Sequence, residues 1–278
     1  MAKRTTKRLT KAQRQKQAAR RRAVRRVVTM LVLAIVAALA VLGWRWRATL
    51  PLETVAVEGT RHATPAEVLQ RIGLTDDAGV PTSDTLLFAL DPAILADRAA
   101  RHPWVAEATV RRGATGTVSV KVAERRPVAL ALDVAGRPAR YYDAHGYTMP
   151  LVPTTNETAV RYDLPLLRGR LPESHPTQPV EDAALRGLLA VLPTLPPATD
   201  ALVSEIERRA DGTYRLRTPP TGASGALTVT LGTEPDAATF QTLRAFWEQA
   251  VLTQPHTVFR SVDLRYDGQI VTREADRD

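Results

Sequence analysis

The chain has 278 residues, 44% of them hydrophobic and 24% charged, and it contains no cysteine. That balance excludes a disordered chain and a multi-pass membrane protein, and the missing thiols exclude disulfides, thiolate metal sites and cysteine nucleophiles. The net charge of +9 would suggest nucleic acid or anionic lipid as a partner, but residues 1–26 hold 12 Lys/Arg and no acid, while the other 252 residues carry 26 basic and 29 acidic groups. The positive charge belongs to one tail.

Directly after the tail comes Val27–Trp44 (VVTMLVLAIVAALAVLGW), 18 residues without a charge. As a helix this spans about 27 Å, close to the hydrocarbon thickness of a bilayer. Arg25 and Arg26 flank its start, and Trp44 and Trp46 its end, where amphipathic rings prefer the headgroup layer. The positive-inside rule puts the N-terminus in the cytoplasm and the rest of the chain outside: a single-pass type II protein of the inner (plasma) membrane. A cleavable signal peptide is the alternative, with Ala38-Leu39-Ala40 as its cleavage site, but the charged lead-in is long for one. The tail sets topology and touches anionic headgroups. With no aromatic residue before Trp44, nothing there stacks on bases.

The next block runs over residues 52–124. Thr54–Glu58 alternates and stops at Gly59, a strand and a turn. Thr64-Pro65-Ala66-Glu67 carries a cap, Pro at N1 and Glu at N3, the start of a helix with Val68, Leu69 and Ile72 on its apolar face and Gly73 as its stop. A second helix starts at Asp91-Pro92 and ends before Pro103. Period two then predicts two strands, Val105–Arg111 with Ala106, Ala108 and Val110 on one face, and Thr117–Glu124 with Val118, Val120 and Val122 inward, joined by a turn at Gly113–Gly116. The order is β-α-α-β-β, a small open sheet with two helices on one face.

Residues 127–273 form the second block. Strands are predicted at Val128–Leu132, Arg140–Asp143, Ala201–Arg208, Thr213–Arg217, Leu227–Leu231 and Val258–Tyr266. Two helices are predicted from the stripes Leu185, Leu188, Leu189, Leu192 and Phe240, Leu243, Trp247, Ala250. The fold class is α+β: one membrane helix, a β-α-α-β-β domain, then a mixed β-rich domain with two helices.

Signatures of chemistry are absent. There is no G-x-S-x-G, H-E-x-x-H or phosphate-binding glycine loop, and five histidines lie scattered. Asp143-x-His145 reads as turn chemistry rather than half a metal site. The reading is a non-enzymatic chain without metal, cofactor or small-molecule substrate. Interaction surface remains, and an open sheet offers its edge to an extended partner.

The layout and several motifs resemble the bacterial FtsQ/DivIB division family. Val55-x-Val57-x-Gly59, His102-Pro103-Trp104-Val105-x-x-Ala108-x-Val110-Arg111-Arg112, Val118–Glu124 with Arg125-Arg126-Pro127, Asp143-x-x-Gly146, Leu164-Pro165-Leu166-Leu167-x-Gly169 and Ser261–Asp267 (SVDLRYD) carry the likeness. The resemblance implies a POTRA domain at 52–124 and a β-domain at 127–273. It also implies a scaffold of the division septum that links early and late division proteins, binds the FtsB–FtsL pair and meets others such as FtsK, FtsW and FtsI. Strand addition would fall on Tyr266, Asp267, Gly268, Gln269, Ile270 and Val271, with the basic pair Arg208-Arg209 holding an acidic partner segment. Gly268 stands where the family has a serine-glycine type of turn, and Thr218–Gly225 is longer than the family's hairpin. A POTRA-type chaperone or translocation component for outer-membrane proteins stays open as the alternative function, and an anchored periplasmic hydrolase as a more remote one.

Overall fold

The computed structural model describes residues 11–75, 86–152, 162–220, 225–254, 257–266 and 268–274, with side chains from residue 20 onward. Its contacts divide the chain into two units, one of Met1–Val55, Ser83–Asp91 and Arg112–Val118, the other of the remaining segments.

Helix α1 runs unbroken over Lys11–Ala48. Its stretch Arg20–Ala48 is long and apolar enough to cross a membrane, and none of its apolar surface is buried within the protein. A soluble helix with that surface would have to pack it away; this one leaves Val27–Leu42 exposed along its length.

The first sheet has three strands in the order β1 (Thr54–Glu58), β3 (Thr117–Glu124), β2 (Val105–Arg112). Helices α2 (Pro65–Ile72) and α3 (Pro92–Ala100) supply Val68, Ile72, Leu95 and Ala99 to its core. The expected start of α2 is present in full: Thr64 accepts from the Glu67 N–H, the Glu67 carboxylate accepts from the Thr64 N–H, and Gly73 closes the helix at φ 75°. The β3 alternation is complete, with Val118, Val120 and Val122 buried between exposed neighbours. In β2 it is not. Val110 is buried as expected, but Ala106 is exposed and Val105 is buried. The strand leaves directly from a turn in which Val105 N–H bonds to the His102 carbonyl, so Val105 stays with Trp104 in the core.

The second sheet has nine strands in the order β12-β11-β10-β9-β8-β7-β4-β5-β6. These are β4 (Pro127–Leu132), β5 (Pro138–Asp143), β6 (Thr148–Met149), β7 (Leu166–Gly169), β8 (Glu205–Arg208), β9 (Tyr214–Arg217), β10 (Thr228–Gly232), β11 (Phe259–Tyr266) and β12 (Gln269–Glu274). Three pairs are parallel: β4 with β7, β7 with β8, and β10 with β11. Parallel neighbours need a crossover, and helices supply two of them. Helices α4 (Ala183–Val191) and α5 (Pro197–Asp200) lie between β7 and β8, and α6 (Ala237–Phe246) between β10 and β11. One core joins Leu185, Leu188 and Leu189 of α4 and Phe240 and Leu243 of α6 to Tyr142, Leu167, Ile206, Leu216, Val229 and Val262 of the strands.

Both predicted helices form, the second continuing as a π-turn over Trp247–Val251. The predicted strand Ala201–Arg208 is shorter: it starts at Glu205, because Ala201–Val203 close the turn after α5 through bonds to Pro197, Thr199 and Asp200 carbonyls. Helix α5 and strands β6, β7 and β12 were not expected as separate elements; the three strands are defined by the neighbours they pair with rather than by a local period. Residues 221–224 of the long Thr218–Gly225 connection lie outside the described residues.

Two buried contacts sit where β3 passes into β4. The Glu124 carboxylate accepts the backbone N–H groups of Arg61, His62 and Ala63 at 2.7–3.1 Å and lies 2.8 Å from His62 Nδ1. His62 stacks on Trp104 at 4.3 Å and reaches the Tyr162 hydroxyl through Nε2 at 3.0 Å. A proton on Nδ1 lets the ring donate to Glu124 while Nε2 meets the Tyr162 hydroxyl. One residue on, Arg125 pairs with Asp143 at 2.8 Å and lies over the Tyr147 ring. The other oxygen of Asp143 accepts the N–H groups of His145 and Tyr147, so Asp143-x-His145 is turn chemistry, as its sequence indicates.

Candidate partner-binding edge

β12 is the last strand of the nine and, among the described residues, pairs antiparallel with β11 alone, so one row of its backbone groups faces away from the sheet. The register runs Asp263↔Val271, Val262↔Thr272 and Ser261↔Arg273, with a shift before Tyr266↔Gln269 at the turn. Gly268 occupies that turn at φ 71°, in the left-handed region where glycine is favoured. Beside this edge lies a groove of about 780 Å³ on the sheet. It is lined by Tyr266, Gln269, Val271 and Arg273 and reaches across to Arg209, Arg215 and Thr230. Alternation decides its composition. On β9 and β10, Tyr214, Leu216, Val229 and Leu231 face the helices, so Arg215, Thr228 and Thr230 face the groove.

The groove is basic. Arg209, Arg215, Arg260, Arg265 and Arg273 line it, against Asp211 and Asp263. Arg265 is paired with Asp263 at 2.6 Å, which holds that carboxyl below its ordinary range through the side-chain hydrogen bonds. Asp211 is also held low, chiefly by the Thr213 N–H, so both acids are ionised near neutral pH.

The comparisons with known proteins point one way. Residues 50–125 match the family model for a POTRA domain of FtsQ type. The chain is 44% identical over 237 residues to a cell division protein FtsQ of Rhodothermus marinus, covering 85% of this chain and 82% of that one. It is 42% identical over 238 residues to the cell division protein FtsQ of Salinibacter ruber, with 85% and 87% covered. The chain belongs to the FtsQ family of cell division proteins.

Within this FtsQ-family chain the sequence-predicted residues are not all brought together. Tyr266 (53% exposed), Gln269 and Val271 meet at the groove, and Ile270 is partly buried against the core. Asp267 lies outside the described residues. The pair Arg208-Arg209 is split, because successive side chains point to opposite faces. Arg209 lines the groove. Arg208 points to the helix side, where it is ion-paired with Asp182 at the start of α4 and donates to the Arg170 carbonyl at 2.9 Å. Tyr214 lies behind it, its phenol pushed up to about 12, first of all by burial. Arg208 thus fastens α4 to β8. Arg215, Arg260, Arg265 and Arg273 were missed by sequence reasoning. Their signal was the basic residue recurring on β9, β11 and β12, which shows only once the sheet order is known. Among the described residues no group of three or more His, Asp or Glu could hold a metal ion. Arg25, Arg26, Trp44 and Trp46 are exposed at the two ends of the apolar part of α1.

Proposed function

We propose that the chain is a non-enzymatic scaffold of the divisome whose β12 edge takes up an extended segment of the FtsB–FtsL pair, linking early to late division proteins at the septum. The observation that carries this reading is the free antiparallel edge of β12 beside a basic groove. Main-chain bonds to the edge supply affinity, and Arg209, Arg215 and Arg273 select an acidic segment and speed its encounter. Arg208 serves this function from behind, by fixing β8. FtsK, FtsW and FtsI are further partners on this reading. The N-terminus is cytoplasmic and both sheets are extracytoplasmic.

Proline at two adjacent positions tests the edge. Successive backbone N–H groups point to opposite sides of a strand, so of Ile270 and Val271 one points at β11 and the other outward. Ile270→Pro and Val271→Pro are compared for thermal unfolding and for binding of purified FtsB–FtsL. The variant that leaves the melting profile intact is expected to abolish binding. Retention of binding by both folded variants overturns the reading. Arg209→Glu is expected to slow association and weaken its salt dependence while leaving the fold unchanged.

A further inference from the structure

Where α1 ends, a second segment of the chain is fastened to it. Leu87 N–H bonds to the Leu50 carbonyl at 3.0 Å, and Pro51 forms a bridge with Leu86. The Arg47 guanidinium, still on α1, lies 4.2 Å from the centre of the Phe88 ring. Arg112 stands 5.3 Å from the same ring and donates to the Phe88 and Leu90 carbonyls at 3.3 and 3.0 Å. The short 3₁₀ turn Leu87–Ala89 is thereby held at the foot of α1 by two arginines and a backbone bond. Leu86, beside it, is left 44% exposed, and Phe88 only half-buried.

We propose that Leu86–Leu90 is a second membrane contact: Leu86 enters the outer headgroup layer of the bilayer and Arg47 and Arg112 hold lipid phosphate beside it. The proposal rests on the reading that α1 crosses the membrane. Given that, position decides the occupant. Trp44 and Trp46, both largely exposed, mark the headgroup level. Leu50 comes four residues after Trp46, about 13 Å of fully extended chain at most, and the interfacial layer is itself about 5–7 Å deep on each side. A partly exposed leucine, a phenylalanine and two guanidinium groups at that level match a phosphate-bearing surface over apolar chains. Arg47 sits over the Phe88 ring and remains exposed, so its charge is available to a phosphate.

The chain has no cysteine, so single cysteines can be labelled in the full-length protein. Leu86→Cys and, separately, Leu42→Cys are coupled to an environment-sensitive fluorophore and reconstituted in vesicles of phosphatidylcholine with or without phosphatidylglycerol. The Leu86 label is expected to shift to the blue, to be quenched by lipids with a nitroxide near the headgroup, and to resist aqueous iodide. The shift should grow with phosphatidylglycerol and shrink when Arg47→Glu is added. A Leu86 label fully open to iodide and untouched by nitroxide lipid, beside a deeply quenched Leu42 label, overturns the second contact while the membrane span stands. A Leu42 label open to iodide overturns both. A Leu86 label shielded from iodide but untouched by nitroxide lipid assigns the turn to a protein partner instead and likewise overturns the proposal.

Discussion

Glu124 closes β3 with a carboxylate that meets four donors, three backbone N–H groups (that of His62 shared between both oxygens) and His62 Nδ1. Burial pushes this carboxyl up, but the N–H groups of Arg61, His62 and Ala63 with the His62 ring outweigh it and hold it below its ordinary value. A carboxyl whose folded pKa is depressed contributes stability that is fully present above the unfolded value, about 4.5, and is lost as pH falls through the folded value. Thermal unfolding of the solubilised protein is therefore expected to drop as pH falls below about 4.5. Glu124→Gln should destabilise by about 1–2 kcal/mol at pH 7, since partly exposed donors lose a charged acceptor, and should flatten that acid limb. An unchanged acid limb in Glu124→Gln would count against the assignment. The E-R step after β3 is thus legible in physical terms. Glu124 gathers the β1–α2 connection, and Arg125 reaches Asp143 in β5. The sequence shows the two residues but not their partners, which lie 62 and 18 positions away.

At the scale of elements, short-range chemistry wrote itself plainly into the sequence. The capping box of α2, the full alternation of β3 and the leucine stripe of α4 are all local patterns, and all three appear as expected. What failed were elements defined by their neighbours. β7 has four residues, and its place between β4 and β8 comes from parallel pairing across a crossover. Gly59 shows how a turn depends on a strand far along the chain. It sits at φ 87°, and a Cβ there would stand 2.1 Å from the Val122 carbonyl oxygen of β3. Gly59→Ala is expected to cost about 2–3 kcal/mol, from left-handed strain together with displacement of β3. A melting temperature unchanged by this substitution would show that β1 and β3 can separate there at no cost. Gly169 is built alike, its added Cβ 2.1 Å from the Arg208 carbonyl, so the glycine that ends β7 lets it lie flush with β8.

For the whole molecule, the proposed orientation rests on charge asymmetry about the apolar helix. Twelve basic residues precede Val27, and only Arg45 and Arg47 come closely after Trp44. A reporter enzyme active only outside the cytoplasm, fused after Glu274, is expected to be active. Replacing Arg20, Arg21, Arg22, Arg25 and Arg26 by neutral residues should lower that activity as a fraction of molecules inverts. A reporter that is inactive in the parent chain would refute the orientation.

Composition, charge distribution and hydrophobic period are local or additive properties, so the sequence alone determined a basic tail, one membrane-length helix, a β-α-α-β-β block and a strand-rich remainder. Its resemblance to the division family also pointed to the end of β11 and the first residues of β12 as the candidate edge. The tertiary structure alone decided which strand lies outermost and that Arg208 turns inward to Asp182. It also decided that Arg209, Arg215, Arg260 and Arg273 share one groove. The physical reason is sheet order. A strand's pattern gives the period of its two faces, but which residues become neighbours depends on pairing between segments up to about sixty residues apart, which no local pattern encodes. Charge shows the same division: the tail's excess was readable by counting, whereas the local cluster of arginines in the groove, within a net-acidic remainder, emerged only after the strands were placed side by side.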